Sequence, residues 1–258
     1  MTNGRIRKMW ALPGAQLSAP RSLLVQGGDA TMVKLPCPSF LMEHPKGLVL
    51  FDTGCNPRMI DDPIGYLGEH ARNLPLEWSK TETLDRQIKQ VGYQPSDIKY
   101  VVVSHSHFDH VGGLSYFPKA KFIVGTNELR YAYWPDPDRR WVFVLEDYLP
   151  TRGYDWLELG CDFDLFGDGS LQFLLTPGHT PGECSLMVRL SNRNILLTGD
   201  TVHLREAIER EATMPLDTDP NQSTHSIRRL KAIREMYDAT LWITHDPEDW
   251  SEIPHIIE

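Results

Sequence analysis

The sequence predicts an α/β fold, a four-layer αββα sandwich, on two observations. Apolar runs of strand length repeatedly stop at a side chain able to bind metal, and the order strand, helix, strand occurs twice. Leu48-Val-Leu-Phe-Asp52, a helix and Val101-Val-Val-Ser-His105 are echoed by Ile195-Leu-Leu-Thr-Gly-Asp200, a helix and Leu241-Trp-Ile-Thr-His245. Two such halves facing each other bury a pair of sheets between helical layers and bring their strand ends to one edge.

The elements follow in order. Leu48 to Phe51 reads as a short buried strand, and Leu84, Ile88 and Val91 follow at helical spacing with Gly92 as the stop. Ile98 to Ser104 is the strand that delivers the first histidines. Lys121 to Val124 makes another strand, Asp168-Gly169 marks a hairpin turn, and Leu171 to Leu175 runs into Pro177. Ser185 to Arg189 and Asn194 to Thr198 pair around Asn192-Arg193. Ile227, Leu230, Ile233 and Tyr237 form one apolar helix face before Thr240 to Thr244 carries His245 to the centre.

Composition bounds the function. A chain of 258 residues without a long Pro/Ser/Gly-rich linker or charge block predicts one domain, 1–258. A net charge of −9 argues against a nucleic-acid partner, because phosphodiesters are gathered by basic surfaces. Cys37, Cys55, Cys161 and Cys184 show no short paired spacing and read as reduced thiols. The basic stretch Met1 to Trp10 lacks an apolar core and no 18-residue apolar run occurs, so the expectation is a soluble, cytoplasmic chain with no membrane partner.

Chemistry concentrates between Val101 and Gly113, where His105, His107, Asp109 and His110 fall within six residues. Imidazole and carboxylate together suit zinc or a similar divalent ion. The alternation lets His105 and His107 face one centre while Asp109 and His110 turn toward a second. His179 ends the run before Pro177-Gly-His, Asp200 ends Ile195 to Gly199, and His245 ends Leu241 to Thr244. The other histidines, His44, His70, His203, His225 and His255, stand singly among polar neighbours, where a surface or hydrogen-bonded role is the default.

The ordered set His-x-His-x-Asp-His, Pro-Gly-His, Gly-Asp and Thr-His-Asp resembles the metallo-β-lactamase fold superfamily over nearly the whole chain. Within it the Phe51-Asp-Thr-Gly54 turn, Ser104 to Gly113 and Thr176 to Gly182 are most similar to N-acyl-homoserine lactonases. The resemblance implies that His105, His107 and His179 hold one divalent ion, and Asp109, His110 and His245 another. Asp200 would bridge them, with zinc favoured as the metal. It implies a small-molecule partner, an acyl lactone, whose ring carbonyl is attacked by hydroxide shared between the ions. Asp109 would then carry the proton to the leaving alkoxide. Asp52 is expected to anchor its loop through backbone hydrogen bonds.

Two positions depart from the lactonase pattern. Asp200-Thr-Val-His203 puts histidine where such lactonases have a substrate-binding tyrosine. His203 either takes over that polar contact, titrating near working pH, or is a partly exposed residue without one. Glu183 stands where the pattern repeats histidine and is expected to be a supporting carboxylate. Met59, Ile60, Ile64, Tyr66 and Leu67, with Tyr131, Tyr133, Trp134, Trp141, Phe143 and Trp156, either wall an acyl channel or pack the core or a homodimer contact. Competing activities are hydrolysis of another small lactone, a glyoxalase-II-like thioesterase, disfavoured by the acidic carboxy terminus, and a phosphotriesterase. A non-catalytic metal binder would need a defective donor set, and none is visible.

Overall fold

Strands form where the apolar runs stand and stop where a polar side chain captures the backbone. The structure, a computed structural model, describes residues 5–258; the first four residues of the basic amino-terminal stretch lie outside the described residues. In chain order the strands are β1 (Lys8–Leu12), β2 (Gln16–Pro20), β3 (Met32–Pro36), β4 (Ser39–His44), β5 (Gly47–Phe51), β6 (Leu76–Glu77), β7 (Ile98–Val102), β8 (Lys121–Gly125), β9 (Asp155–Leu159), β10 (Phe163–Asp164), β11 (Leu171–Leu175), β12 (Cys184–Arg189), β13 (Asn194–Leu197), β14 (Ala239–Trp242) and β15 (Ile256–Ile257). A seven-stranded sheet runs β15-β1-β4-β5-β7-β8-β9, a five-stranded one β10-β11-β12-β13-β14, and a small one β3-β2-β6.

The duplicated order in the sequence is a duplicated topology. In the first half β4 and β5 pair antiparallel, and a crossover containing the helix Leu84–Gln90 returns β7 parallel to β5. In the second half β12 and β13 pair antiparallel, and a crossover containing the helix Pro220–Tyr237 returns β14 parallel to β13. Parallel neighbours need such a crossover, and its helix covers the outer face of the sheet.

Side-chain alternation then fixes the layers. Val49 and Phe51 of β5 share one core with Phe173, Leu186, Ile195 and Leu197 of the second sheet, so this core lies between the sheets. Leu48 and Leu50 of β5 and Leu196 of β13 belong to the outer core, with Leu84 and Ile88 of one helix and Ile227 and Leu230 of the other. Both faces of these strands are therefore apolar, which is why they read as continuous rather than alternating runs. Each fully buried aliphatic side chain contributes roughly 1.5–3 kcal/mol.

Two expectations shift. β7 ends at Val102 rather than Ser104, because the Ser104 N–H turns to the Asp52 carboxylate at 2.7 Å instead of continuing the ladder. The apolar face of the long helix fades at its end: Ile227 and Leu230 are buried, but Tyr237 is 37% exposed, its ring 4.9 Å from the Arg189 guanidinium. The helix begins at Asp219, whose carboxylate accepts the N–H groups of Asn221 and Gln222, and closes at Asp238 in the left-handed region.

Candidate metal centre

Four loops, each following a strand of the two main sheets, converge at one edge. The loop after β7 is held on both sides. Asp52, at φ 59°, accepts from Ser104 N and Oγ, and its Oδ2 lies 2.9 Å from His110 Nδ1. Asp52 thus anchors the loop as expected and also orients a ring, which the sequence did not reveal. The helical turn Phe108–Val111 carries Asp109 and His110. At its end Gly112 passes so close to Asn56 that a Cβ there would stand 2.0 Å from the Asn56 nitrogen.

Glu128, fully buried behind β8, ties this loop to the next. Its carboxylate accepts from Ser106 N at 2.8 Å, Thr180 Oγ1 at 2.6 Å and Gly182 N at 3.0 Å. The hydroxyl and amide it takes directly follow His179 in the chain, and Ser106 sits between His105 and His107. His179 Nδ1 is 2.9 Å from Asp217 Oδ1. Gly178, at φ 139°, brings the turn against the first turn of the long helix, where a Cβ would lie 2.2 Å from Ser223 N. Glu183 Oε1 accepts the Asp200 N–H at 2.9 Å, and Oε2 is 3.0 Å from His105 Nδ1. It is the supporting carboxylate that its place in the sequence suggested. His245 Nδ1 donates to the Pro36 carbonyl at 2.7 Å. Nearly every ring therefore has an outer partner that fixes its direction.

The inner atoms gather in two groups. Donor atoms of His105, His107, His179 and Asp200 lie within 4.8 Å of one another, as do those of His110, Asp200 and His245. Asp200 belongs to both. Its Oδ1 stands 3.2 Å from His110 Nε2 and 3.1 Å from His245 Nε2, while Oδ2 is 3.7 Å from Nε2 of both His105 and His179. Asp109 Oδ2 joins the second group at 3.6 Å from His245 Nε2 and 3.9 Å from His110 Nε2. The structure thus brings together all seven residues singled out by the motif.

The donor set fits divalent cations. A carbonyl only accepts, so the His245 proton sits on Nδ1 and the Nε2 lone pair faces the lone pairs of Asp200 Oδ1. Acceptors that close need positive charge between them, from an extra proton or a metal. His105 Nε2 and Asp200 Oδ1 are buried and make no hydrogen bond, a costly state that coordination relieves. Electrostatics show the same demand for positive charge around Asp200. Burial opposes charge on His110 and His245, but the Asp200 carboxylate outweighs it and pushes both pKa values well up. Burial would raise the Asp200 carboxyl, yet the surrounding histidines hold it well down. His105 and His107 are pushed down by burial and neighbouring rings, which keeps them neutral, the form that binds metal.

His203 is neither single nor partly exposed. It is buried, its Nε2 is 2.9 Å from Asp200 Oδ2, and its ring stacks at 5.4 Å on His245. Burial lowers its pKa despite the Asp200 carboxylate, which favours the uncharged ring. His107, Asp109, Asp200, His203 and His245 open into a cavity of about 70 Å³ whose other walls include Leu17, Ala19, Leu24, Leu35, Trp141 and Leu216. Of the residues expected around an acyl channel, Trp141 lines this cavity, and Phe143 packs on His107 at 4.7 Å. Met59, Tyr66 and Leu67 are core, and Trp156 packs on Phe122. Tyr133, Trp134, Trp141 and Phe143 line a second, open groove of about 990 Å³, which shares Trp141 with the cavity.

A sandwich of this topology with a histidine-aspartate centre at its edge defines a class. Residues 32–245 match the metallo-β-lactamase superfamily, and the chain belongs to it. Among its relatives, the N-acyl homoserine lactonase AttM of Rhizobium radiobacter is 34% identical over 229 residues, 87% of each chain. AiiA of Bacillus thuringiensis subsp. kurstaki, also an N-acyl homoserine lactonase, is 28% identical over 249 residues, 94% of each. An N-acyl homoserine lactone hydrolase with N-hexanoyl-L-homoserine at its catalytic metal centre superposes with a TM-score of 0.86 at 25% identity, covering 97% of both chains.

Proposed function

We propose that this protein opens the lactone ring of N-acyl-homoserine lactones. The observation that carries the reading is the juxtaposition of Asp109, Asp200 and His203 with a small cavity walled by leucines: a polar reacting group and an apolar tail have adjoining places. The relatives named lactonases, and the product held by one of them, support it. In this reading His105, His107 and His179 hold one ion, Asp109, His110 and His245 the other, and Asp200 both, with zinc suited to the mixed imidazole and carboxylate set. Two bound ions would supply charge that makes a water nucleophile available near neutral pH and offsets negative charge on the substrate oxygens.

The chain's own residues do the rest. Asp109 lies at the cavity, its side chain 13% exposed, and takes the proton of the attacking water. As the ring C–O bond breaks, Asp109 returns that proton to the departing oxygen, so the product is the open-chain hydroxy acid. His203 donates a hydrogen bond from Nε2 to Asp200 and keeps Nδ1 as an acceptor, suited to the substrate amide N–H. The leucines and Trp141 hold the acyl chain and exclude water. Four unpaired cysteines suit a reducing, cytoplasmic setting; among the described residues no helix is long and apolar enough to cross a membrane.

The test is a panel of homoserine lactones, other lactones, thioesters and phosphotriesters, offered to protein carrying about two ions per chain. Ring opening of the acyl-homoserine lactones well above the others is expected. Failure on every homoserine lactone removes the reading, and turnover of a thioester or phosphotriester alone replaces it.

A further inference from the structure

The segment between the helices Arg205–Arg210 and Pro220–Tyr237 has no regular structure, yet it carries the carboxylate that orients His179. Asp217 closes its own turn, Oδ2 accepting the Met214 N–H at 3.0 Å while Oδ1 faces His179 Nδ1. Backbone carbonyls in such a segment lack ladder partners and need donors from elsewhere. One side chain supplies them. Arg139, 77 residues before Leu216, donates from Nε to the Leu216 carbonyl and from Nη2 to the Asp217 carbonyl, each at 3.1 Å. Among the described residues no other hydrogen-bond donor reaches either carbonyl. The Arg139 side chain is 21% exposed, against 70% for its neighbour Asp138. Both ends of this contact belong to the reaction cavity: Trp141 and Val142, just after Arg139, line it together with Met214 and Leu216.

We propose that Arg139 is a positioning residue for the metal centre: its planar fork fixes the Leu216–Asp217 backbone, and with it the direction in which Asp217 holds His179. A guanidinium holds two consecutive carbonyls at once, where a lysine ammonium is a single point donor. The inference rests on His179 being a ligand of the ion it shares with His105 and His107. Its effect is one-sided. On the other half of the centre His110 takes its direction from Asp52 and His245 from the Pro36 carbonyl, neither of which Arg139 touches. Arg139 Nη1 also meets Asp138 at 2.8 Å, but a pair with so exposed a partner contributes little.

The experiment measures both stepwise zinc affinities of the full chain by chelator competition. Arg139→Ala should weaken one step about fivefold to tenfold and leave the other within about twofold. Arg139→Lys should recover part of the loss, and Asp138→Asn should match the wild type. Asp217→Ala should weaken the same step about 10- to 100-fold, and adding Arg139→Ala to it should cost nothing further, because both act through one contact. Unchanged affinities in Arg139→Ala overturn the proposal, as do equal losses at both steps, additive losses in the double variant, or an Asp138→Asn loss as large as that of Arg139→Ala. The Arg139 variants decide even if Asp217→Ala does not fold. A wild type that binds fewer than two ions is a different result, since it removes the metal assignment itself. No lactone is turned over in this measurement, so its outcome is separate from that of the substrate panel.

Discussion

Asp109 and His203 sit at the same cavity and are open to opposite kinds of loss. Asn at position 109 keeps an oxygen that can face the centre but cannot carry a proton. Asp109→Asn is therefore expected to keep two ions by elemental analysis while kcat falls about 10²- to 10⁴-fold; full turnover with both ions in place would end the shuttle role. His203→Ala removes a hydrogen bond to a buried carboxylate and an acceptor for the substrate amide. A loss in kcat/KM of about tenfold to a hundredfold is expected, most of it in KM. If steady-state kinetics leave both constants unchanged, His203 only fills space against His245.

Between elements, Glu128 is the clamp. It leaves the end of β8 to join the loop after β7 to the loop after β11, and truncating it strands Ser106 N, Thr180 Oγ1 and Gly182 N in the interior. Glu128→Ala should weaken metal binding about 10- to 100-fold in a chelator competition, with Glu128→Gln recovering part of the loss because it keeps acceptor oxygen. Equal metal affinity in all three proteins would mean that the loops hold themselves. Position after an apolar run exposed His105, His179, Asp200 and His245 in the sequence because that signal is local. Glu128 and Asp217 gave no such signal: their partners lie up to 54 residues away, and nothing beside them in the chain marks them. His203 was singled out in the sequence as a candidate substrate contact, but its burial was not legible, since burial depends on what packs over a residue and not on its neighbours in sequence. The cavity wall was missed because Gln16-Leu-Ser-Ala-Pro20 is too short and mixed to stand out.

Across the whole molecule, the pH dependence of stability has a contribution of unusual sign. Asp147 is buried, with Asn56 Nδ2 donating to it at 2.7 Å and the Tyr66 hydroxyl donating as well. Burial pushes its carboxyl up to about 6, against those hydrogen bonds. The folded protein therefore binds this proton more tightly than the unfolded chain. Its contribution is full below the unfolded value near 3.9, is lost as pH rises to about 6, and is flat beyond. Urea unfolding of the wild type and Asp147→Asn at pH 4 and pH 7 should show the difference between them shifting by about 2 kcal/mol, the wild type being relatively weaker at pH 7. Parallel profiles would mean that Asp147 does not titrate in that window. At the same scale, Leu17, Ala19, Leu23 and Leu24 line the reaction cavity yet precede residue 32, where the superfamily match begins. Part of the cavity wall therefore belongs to a stretch of chain that carries none of the ion-binding loops. Grafting a short amino-terminal segment from one relative to another can redirect tail preference while every ion-binding loop is left as it is.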